Sequence, residues 1–210
     1  MRSPQESRTL ELVSFGAPIT LRDGSHVRVR QIRGSDKELL LRGFERLSPD
    51  SRYRRFLAPI PELTEGMARY LTEIDHHDHE AIVGLDEATG DGIGVARYVR
   101  DPERPEVAEV AVTVIDDWQG RGLGTSLLEV ISARAREEGI TTFTALLLAT
   151  NEEMMDLFRR LGPVRIVDRE TGLVVIEMPI PAIGLAPALT KLLRIAASSD
   201  VAVPLDGARR

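Results

Sequence analysis

Val107–Leu128 reads VAEVAVTVIDDWQGRGLGTSLL, in the order strand, acidic turn, glycine-rich loop, helix. Five of the nine residues from Val107 to Ile115 are valine or isoleucine. Val110, Val112 and Val114 alternate with Glu109, Ala111 and Thr113, the period of a strand. Asp116 and Asp117 break the run, and Gln119-Gly120-Arg121-Gly122-Leu123-Gly124 follows. Leu123, Leu127, Leu128, Ile131 and Ala135 then fall on one helical face. Gly139 stands where a helix C-terminal glycine is expected.

Such a junction has definite physics. The first N–H groups of a helix lack intrahelical partners and carry the positive end of its dipole. Glycines ahead of them let the backbone approach a ligand closely. An anionic, diphosphate-bearing ligand is therefore expected at Gln119 to Thr125, with the Arg121 side chain as a further positive group. The sequence lacks the Gly-Lys-Ser/Thr ending of a Walker loop. A dinucleotide fingerprint fails too: its third glycine would fall on Thr125 or Leu127, depending on the starting glycine. The spacing present is Gln-x-x-Gly-x-Gly.

The rest of the chain fits one domain with tails. It has 210 residues, 42% hydrophobic and 29% charged, which is ordinary globular composition. A formal net charge of −6 argues against a general nucleic-acid binder. Without cysteine there is no disulfide framework, thiolate metal site or cysteine nucleophile. The first residues, MRSPQESRTLELVSFG, have no apolar core of a secretory leader, and no apolar run approaches membrane-spanning length. A cytoplasmic location without a membrane partner is expected.

Outward from the central stretch, Ile19–Leu21 suggests a short strand before the turn Arg22-Asp23-Gly24-Ser25, and His26–Ile32 a longer one. Ser35 and Glu38 have capping-box spacing ahead of a helix carrying Leu39, Leu40, Leu41 and Phe44. Ser48-Pro49 opens a second short helix. A third spans Leu63 to Ile74, with Leu63, Met67, Tyr70, Leu71 and Ile74 in register. Glu80–Asp86 and Ile93–Val99 read as a hairpin, Thr142–Ala149 as a strand, and Asn151–Leu161 as a helix ended by Gly162-Pro163. Val164–Val167 and Leu173–Met178 form a last hairpin. Leu189 to Ala197 has the spacing of a terminal amphipathic helix. The boundaries expected are 1–25 for an N-terminal extension, 26–180 for the domain and 181–210 for a tail.

The Gln119–Gly124 spacing, with its strand and helix, resembles motif A of the GNAT acetyltransferases. The segments LSPDSRYRRF at Leu47–Phe56, DHHDHEAIVGLD at Asp75–Asp86 and AEVAVTVIDDWQGRGLG resemble more closely the catalytic domain of actinobacterial-type protein lysine acetyltransferases. Members of that group can carry a cyclic-nucleotide-binding domain, for which this chain is expected to lack room. The resemblance implies an α/β fold: a mixed six- to seven-stranded sheet flanked by helices, with a parallel pair around the motif helix. It also implies acetyl-CoA as cofactor and acetyl transfer to an amine. A protein lysine is the first acceptor and a small amine, such as an aminoglycoside or polyamine, the alternative. A non-catalytic acyl-CoA-binding domain is the reading from a different class.

An alkylammonium must lose a proton before it attacks a thioester, and a positioned carboxylate can take it. By resemblance Glu109 is that base, with Glu106 and Glu80 next. The resemblance also implies that the backbone of Val112 and Val114 contacts the pantetheine arm, and that Gln119, Gly120, Arg121, Gly122, Leu123, Gly124 and Thr125 hold the pyrophosphate. Asn151 caps its helix and by resemblance touches the cofactor. Many relatives place a tyrosine seven residues later as the acid for the thiolate; here that residue is Phe158, so no acid is assigned. His76, His77 and His79 have no partner at metal-site spacing and are expected in a polar loop. Arg52, Arg54 and Arg55 form a basic cluster, expected on a solvated helix face, with an acidic acceptor or a CoA phosphate as the alternative partner.

Overall fold

The computed structural model describes residues 18–181. Among them eight strands form one sheet: β1 Pro18–Thr20, β2 His26–Gln31, β3 His79–Asp86, β4 Gly92–Arg100, β5 Val107–Val114, β6 Thr142–Leu148, β7 Arg165–Glu170 and β8 Leu173–Pro179. Their order is β1-β2-β3-β4-β5-β6-β8-β7. Every neighbouring pair is antiparallel except β5 and β6. The fold is the expected mixed α/β arrangement, with one strand beyond the six or seven expected. Three residues suffice for β1, because Ile19 pairs with Val27 across the Arg22–Ser25 turn. The Leu189–Ala197 segment lies outside the described residues.

Five helices accompany the sheet among the described residues: α1 Lys37–Glu45, α2 Pro49–Phe56, α3 Glu65–Thr72, α4 Leu123–Glu137 and α5 Glu152–Leu161. A parallel pair needs a crossover, and α4 supplies it between β5 and β6. Its expected face is the buried one: Leu123, Leu127, Leu128, Ile131 and Ala135 all lie in the core. The helix comes close to the sheet because Gly84 and Gly94 face each other across β3 and β4. A Cβ at Gly94 would stand 3.0 Å from Leu127 Cδ1, and one at Gly84 3.2 Å from Leu123 Cδ1. Truncating Leu127 to alanine would cost about 2–5 kcal/mol.

The caps follow the sequence in part. The Ser48 hydroxyl accepts from the Ser51 N–H at 3.2 Å, with Pro49 in the first turn. The Asn151 side chain accepts from the Met154 N–H at 3.2 Å. The Ser35–Glu38 capping box does not form. Asp36 takes the role instead: its carboxylate accepts from the Arg33 N–H at 2.8 Å and from both Arg30 guanidinium nitrogens at 2.6 and 2.8 Å. A charged fork outcompetes a serine hydroxyl for the start of α1. The third helix is also shorter than expected, and Tyr70 is exposed.

His79 gives the fold a measurable pH dependence. Burial, and next the Arg97 guanidinium, push it down to about 4 from an ordinary 6.5. Between those two values the unfolded chain takes up a proton that the folded chain refuses. Stability is therefore complete above the upper value and falls as the pH drops towards the lower one. His79 is only partly buried, so the loss is about 1–2 kcal/mol after solvent screening. Urea unfolding at several values across that window should show a midpoint that falls with pH. His79→Gln should flatten the fall; an unchanged slope would assign it to other groups.

Candidate functional site

The site begins where two strands part. β5 and β6 pair only at Val107↔Thr142, Ala108↔Phe143 and Glu109↔Thr144. Beyond Glu109, β5 stays on β4 as far as Gly94↔Val114, and β6 stays on β8 as far as Leu148↔Leu173. A wedge opens between them with Glu109 at its apex. The Ile115 N–H donates to the Ile93 carbonyl of β4 at 3.1 Å. Strand alternation then turns the main-chain groups of Val114, Val112 and Val110 away from β4 and into the wedge. From Val114 back to Glu109 is five residues, about 17 Å of open strand edge.

The glycine loop closes the wide end. Gly120 has φ +73° and Gly122, the residue before α4, has φ +99°. That left-handed backbone favours glycine. A cavity of about 360 Å³ lies against the loop, lined by Gln119, Gly120, Gly122, Gly124 and Thr125 and by Val112 to Val114 of the open edge. Asn151 and Leu157 of the α5 region form its other side. The cavity thus meets the N-terminal end of the 15-residue α4, where free amides and the helix dipole favour an anion.

Side-chain directions depart from the sequence reading at several positions. Arg121 leaves the cavity: it donates to the Asp23 carboxylate at 3.1 Å and the Asp117 carbonyl at 2.6 Å, and lies over the Trp118 ring at 4.7 Å. Arg22 and Arg160 line the cavity instead. Arg22 sits in the turn after β1 and Arg160 late in α5, and no local pattern marked either. Gln119 folds back on the Val114 carbonyl at 3.0 Å, so its side chain braces the loop. The Leu123 side chain is in the core, which leaves only its backbone for a ligand.

Among the carboxylates, Glu109 is exposed and projects from the sheet face opposite α4. It lies between Val99 and Thr144 of the neighbouring strands. Glu106 is also exposed, in the turn before β5, with its carbonyl accepting from the Thr141 and Thr142 N–H groups. Glu80 is withdrawn as a candidate base. It is 0% exposed and accepts from Gln31 Nε2 and the Ala81 N–H at 2.7 and 2.9 Å. It also meets His76 Nδ1 at 2.7 Å and Arg134 Nε at 3.3 Å. It locks β2, β3 and α4 together and does not line this cavity.

The basic cluster divides into separate tasks. Arg52 donates to the carbonyls of Leu47, Pro61 and Glu45 and stacks on Phe44. Arg54 pairs with Asp50 at 2.9 Å and with Glu153 of α5 at 3.2 Å, spanning the cavity mouth. Arg55 is half-buried, so the cluster is not a solvated face throughout. Burial pulls its ionisation down, opposed by the Glu109 charge. The three histidines have separate partners: His76 meets Glu80, His77 meets Glu138 and His79 accepts from Arg97.

Phe158 is 1% exposed and part of the core. It lines neither this cavity nor the smaller one under the first three helices. A hydroxyl there would be placed in the core. Phe158→Tyr should lower stability by about 1–3 kcal/mol. Any catalytic rate should change less than about threefold, because the ring does not face the wedge. Thermal melting and turnover of the variant check both, and a large rate gain would place the hydroxyl at the reacting centre.

The sequence profile of the Acetyltransferase (GNAT) family matches residues 44–162. The chain is 35% identical over 170 residues to Acetyltransferase Pat of Mycolicibacterium smegmatis, covering 81% of this chain and 50% of that protein. It therefore spans half the length of that relative. An acetyltransferase of Pseudomonas aeruginosa is 35% identical over 145 residues, 68% of this chain and 77% of its own. Among solved structures, the GNAT domain of S. lividans PAT superposes with a TM-score of 0.72 at 36% identity, covering 78% of this chain and 96% of that one.

Proposed function

The chain belongs to the GNAT acetyltransferase family, and from that premise we propose that it binds acetyl-CoA in the β5–β6 wedge and passes the acetyl group to an amine, a protein lysine first. The observation that carries this reading is the end of the β5–β6 pairing at Glu109↔Thr144. It leaves a strand edge for an extended amide-bearing arm to pair with, as an added strand would. The residues present fit that ligand. Amides at the start of α4 and the Arg22 and Arg160 guanidiniums suit the phosphates. Arg22 lies beside the loop: a Cβ at Gly122 would stand 3.5 Å from Arg22 Nε, an ordinary contact.

When bound, acetyl-CoA supplies an acyl carbon activated by a thiolate leaving group. Val112 or Val110 directs a main-chain N–H into the wedge, able to stabilise negative charge on the thioester oxygen. Glu109, at the apex, accepts the ammonium proton directly or through water. Asn151 holds the α5 end that borders the cavity. The lysine preference rests on the Leu47–Phe56 and Asp75–Asp86 segments and on the likeness to Pat. No described helix is long and apolar enough to cross a membrane.

Thiol release from acetyl-CoA, followed with lysine peptides and a panel of small amines, tests the reading. Lysine peptides should raise the rate above solvent hydrolysis and gain one acetyl group each by mass. Release with small amines alone would transfer the activity to that class. CoA binding without release for any acceptor would favour a non-catalytic acyl-CoA-binding domain.

A further inference from the structure

Two arginines meet behind β5: Glu109 acts on one of them, Arg55, and the other, Arg97, has only uncharged partners. Arg97 stands on β4 opposite Ala111 and is 7% exposed. Its guanidinium donates to the Leu71 carbonyl at 3.0 Å and to His79 Nε2 at 2.9 Å, both uncharged acceptors. Arg55 of α2 lies over the Phe56 ring at 5.0 Å. Among the described residues its guanidinium has no ion pair and no hydrogen-bond acceptor. Burial, and next the Arg55 charge, pull Arg97 down to about 9.

Both arginines line a cavity of about 80 Å³ between the first three helices and the sheet. Its wall is otherwise mostly apolar, with Leu40, Phe44, Val83 and Ala111 among its members. One carboxylate, Asp36, reaches that wall, and Arg30 and the Arg33 N–H already hold it. Arg55 and Thr113 line this cavity and the larger one alike, so the two adjoin there. Burying the Arg97 cation without an anion is unfavourable, and the neighbouring Arg55 cation makes it more so. An anion in this cavity would offset that cost, and the guanidinium fork matches a carboxylate. With a water occupying about 30 Å³ of liquid, the space admits a carboxylate and a methylene or two rather than a protein segment.

Resting on the cofactor reading above, we propose that Arg55 and Arg97 form a carboxylate subsite beside the reacting centre, for a small substrate group that ends in a carboxylate. That group has two sources. One is the tail of a dicarboxylic acyl thioester, passing Thr113 and Arg55 from the larger cavity. The other is the carboxylate of an α-amino-acid acceptor. The transfer itself is the same for both: the amine nitrogen bonds the acyl carbon and the carbon–sulfur bond breaks. Two protons leave the nitrogen, one ending on the CoA sulfur and one in solvent.

Calorimetry with CoA comes first, and absence of binding would reject the cofactor reading rather than the subsite. In the donor arm, succinyl-CoA is compared with butyryl-CoA by kcat/KM on a lysine peptide. In the acceptor arm, leucine is compared with leucinamide using acetyl-CoA, expressed per free amine. A preference for the carboxylate of at least about tenfold in one arm is expected, and that arm identifies the source. Arg55→Gln and Arg97→Gln should each reduce the ratio towards one, while Arg55→Lys keeps part of it. Because a ratio is read, a general loss of rate does not imitate the effect. Should Arg97→Gln fail to fold, the Arg55 pair of variants decides. With CoA bound normally, ratios below about threefold in both arms, or a ratio that survives loss of both arginines singly, would overturn the subsite.

Discussion

Glu109→Gln is expected to lower acetyl transfer to a lysine peptide by about 10²–10⁴-fold, the range a general base contributes. Glutamine keeps the size and hydrogen-bonding reach of the side chain but cannot accept the ammonium proton. Glu109 occupies the last rung before β5 and β6 separate, so in the proposed binding mode it adjoins the acyl end of the wedge and not the phosphate end. CoA affinity should therefore stay within about threefold of wild type. The difference between the two proteins should also narrow as the pH approaches the lysine value of about 10.4, where free amine forms without help. Turnover measured from about pH 7 to about pH 10 reads both effects. A Glu109→Gln protein with more than about half of wild-type turnover at neutral pH would exclude Glu109 as the base. Glu106 would then be tested, since burial and four hydrogen-bonding contacts already occupy Glu80.

Gly122→Val is expected to weaken CoA binding by at least about 100-fold with the fold retained. Its φ of +99° is forbidding for a β-branched residue and costs about 1–3 kcal/mol if held. The loop will relax instead, moving the first amides of α4 and the Arg22 side chain beside them. Gly124→Val tests the same region differently. It sits within α4 without positive φ, and a Cβ there meets Leu157 Cδ2 at 3.5 Å and Val114 Cγ2 at 3.7 Å, ordinary contacts. Its further methyls would intrude on the cavity that Gly124 lines. The loss should come with less destabilisation than at Gly122. Calorimetry and melting on the same preparations separate the two causes. Normal CoA affinity in a well-folded Gly122→Val protein would place the ligand elsewhere.

What the sequence disclosed was local. The period of two before Asp116, the buried face of α4 and the caps at Ser48 and Asn151 each depend on neighbours within a few residues. The resemblance added the parallel pair, which spacing alone does not imply, and the proposal of Glu109 as the base. Side-chain direction was hidden wherever a distant partner decides it. Arg121 reads as a ligand-facing cation beside two glycines, yet Asp23 in the turn after β1 draws it outward. Arg22 and Arg160 reach the cavity from separate ends of the described chain. Ser35 and Glu38 have capping spacing, but Asp36 wins because β2 delivers Arg30 beside it. Phe158 stands at the position of a family acid, and only packing reveals that its ring is in the core. Arg52, Arg54 and Arg55 look alike in sequence and differ in structure, because carbonyls, two carboxylates and a cavity each claim one of them.

The most direct test of the account is a calorimetric titration of CoA into the wild-type protein, repeated with Gly122→Val. One CoA should bind per chain, and that heat should vanish in the variant while its melting transition stays cooperative. No heat from wild-type protein at about 1 mM CoA, or equal binding by both proteins, would contradict a cofactor site between the open edge of β5 and the start of α4.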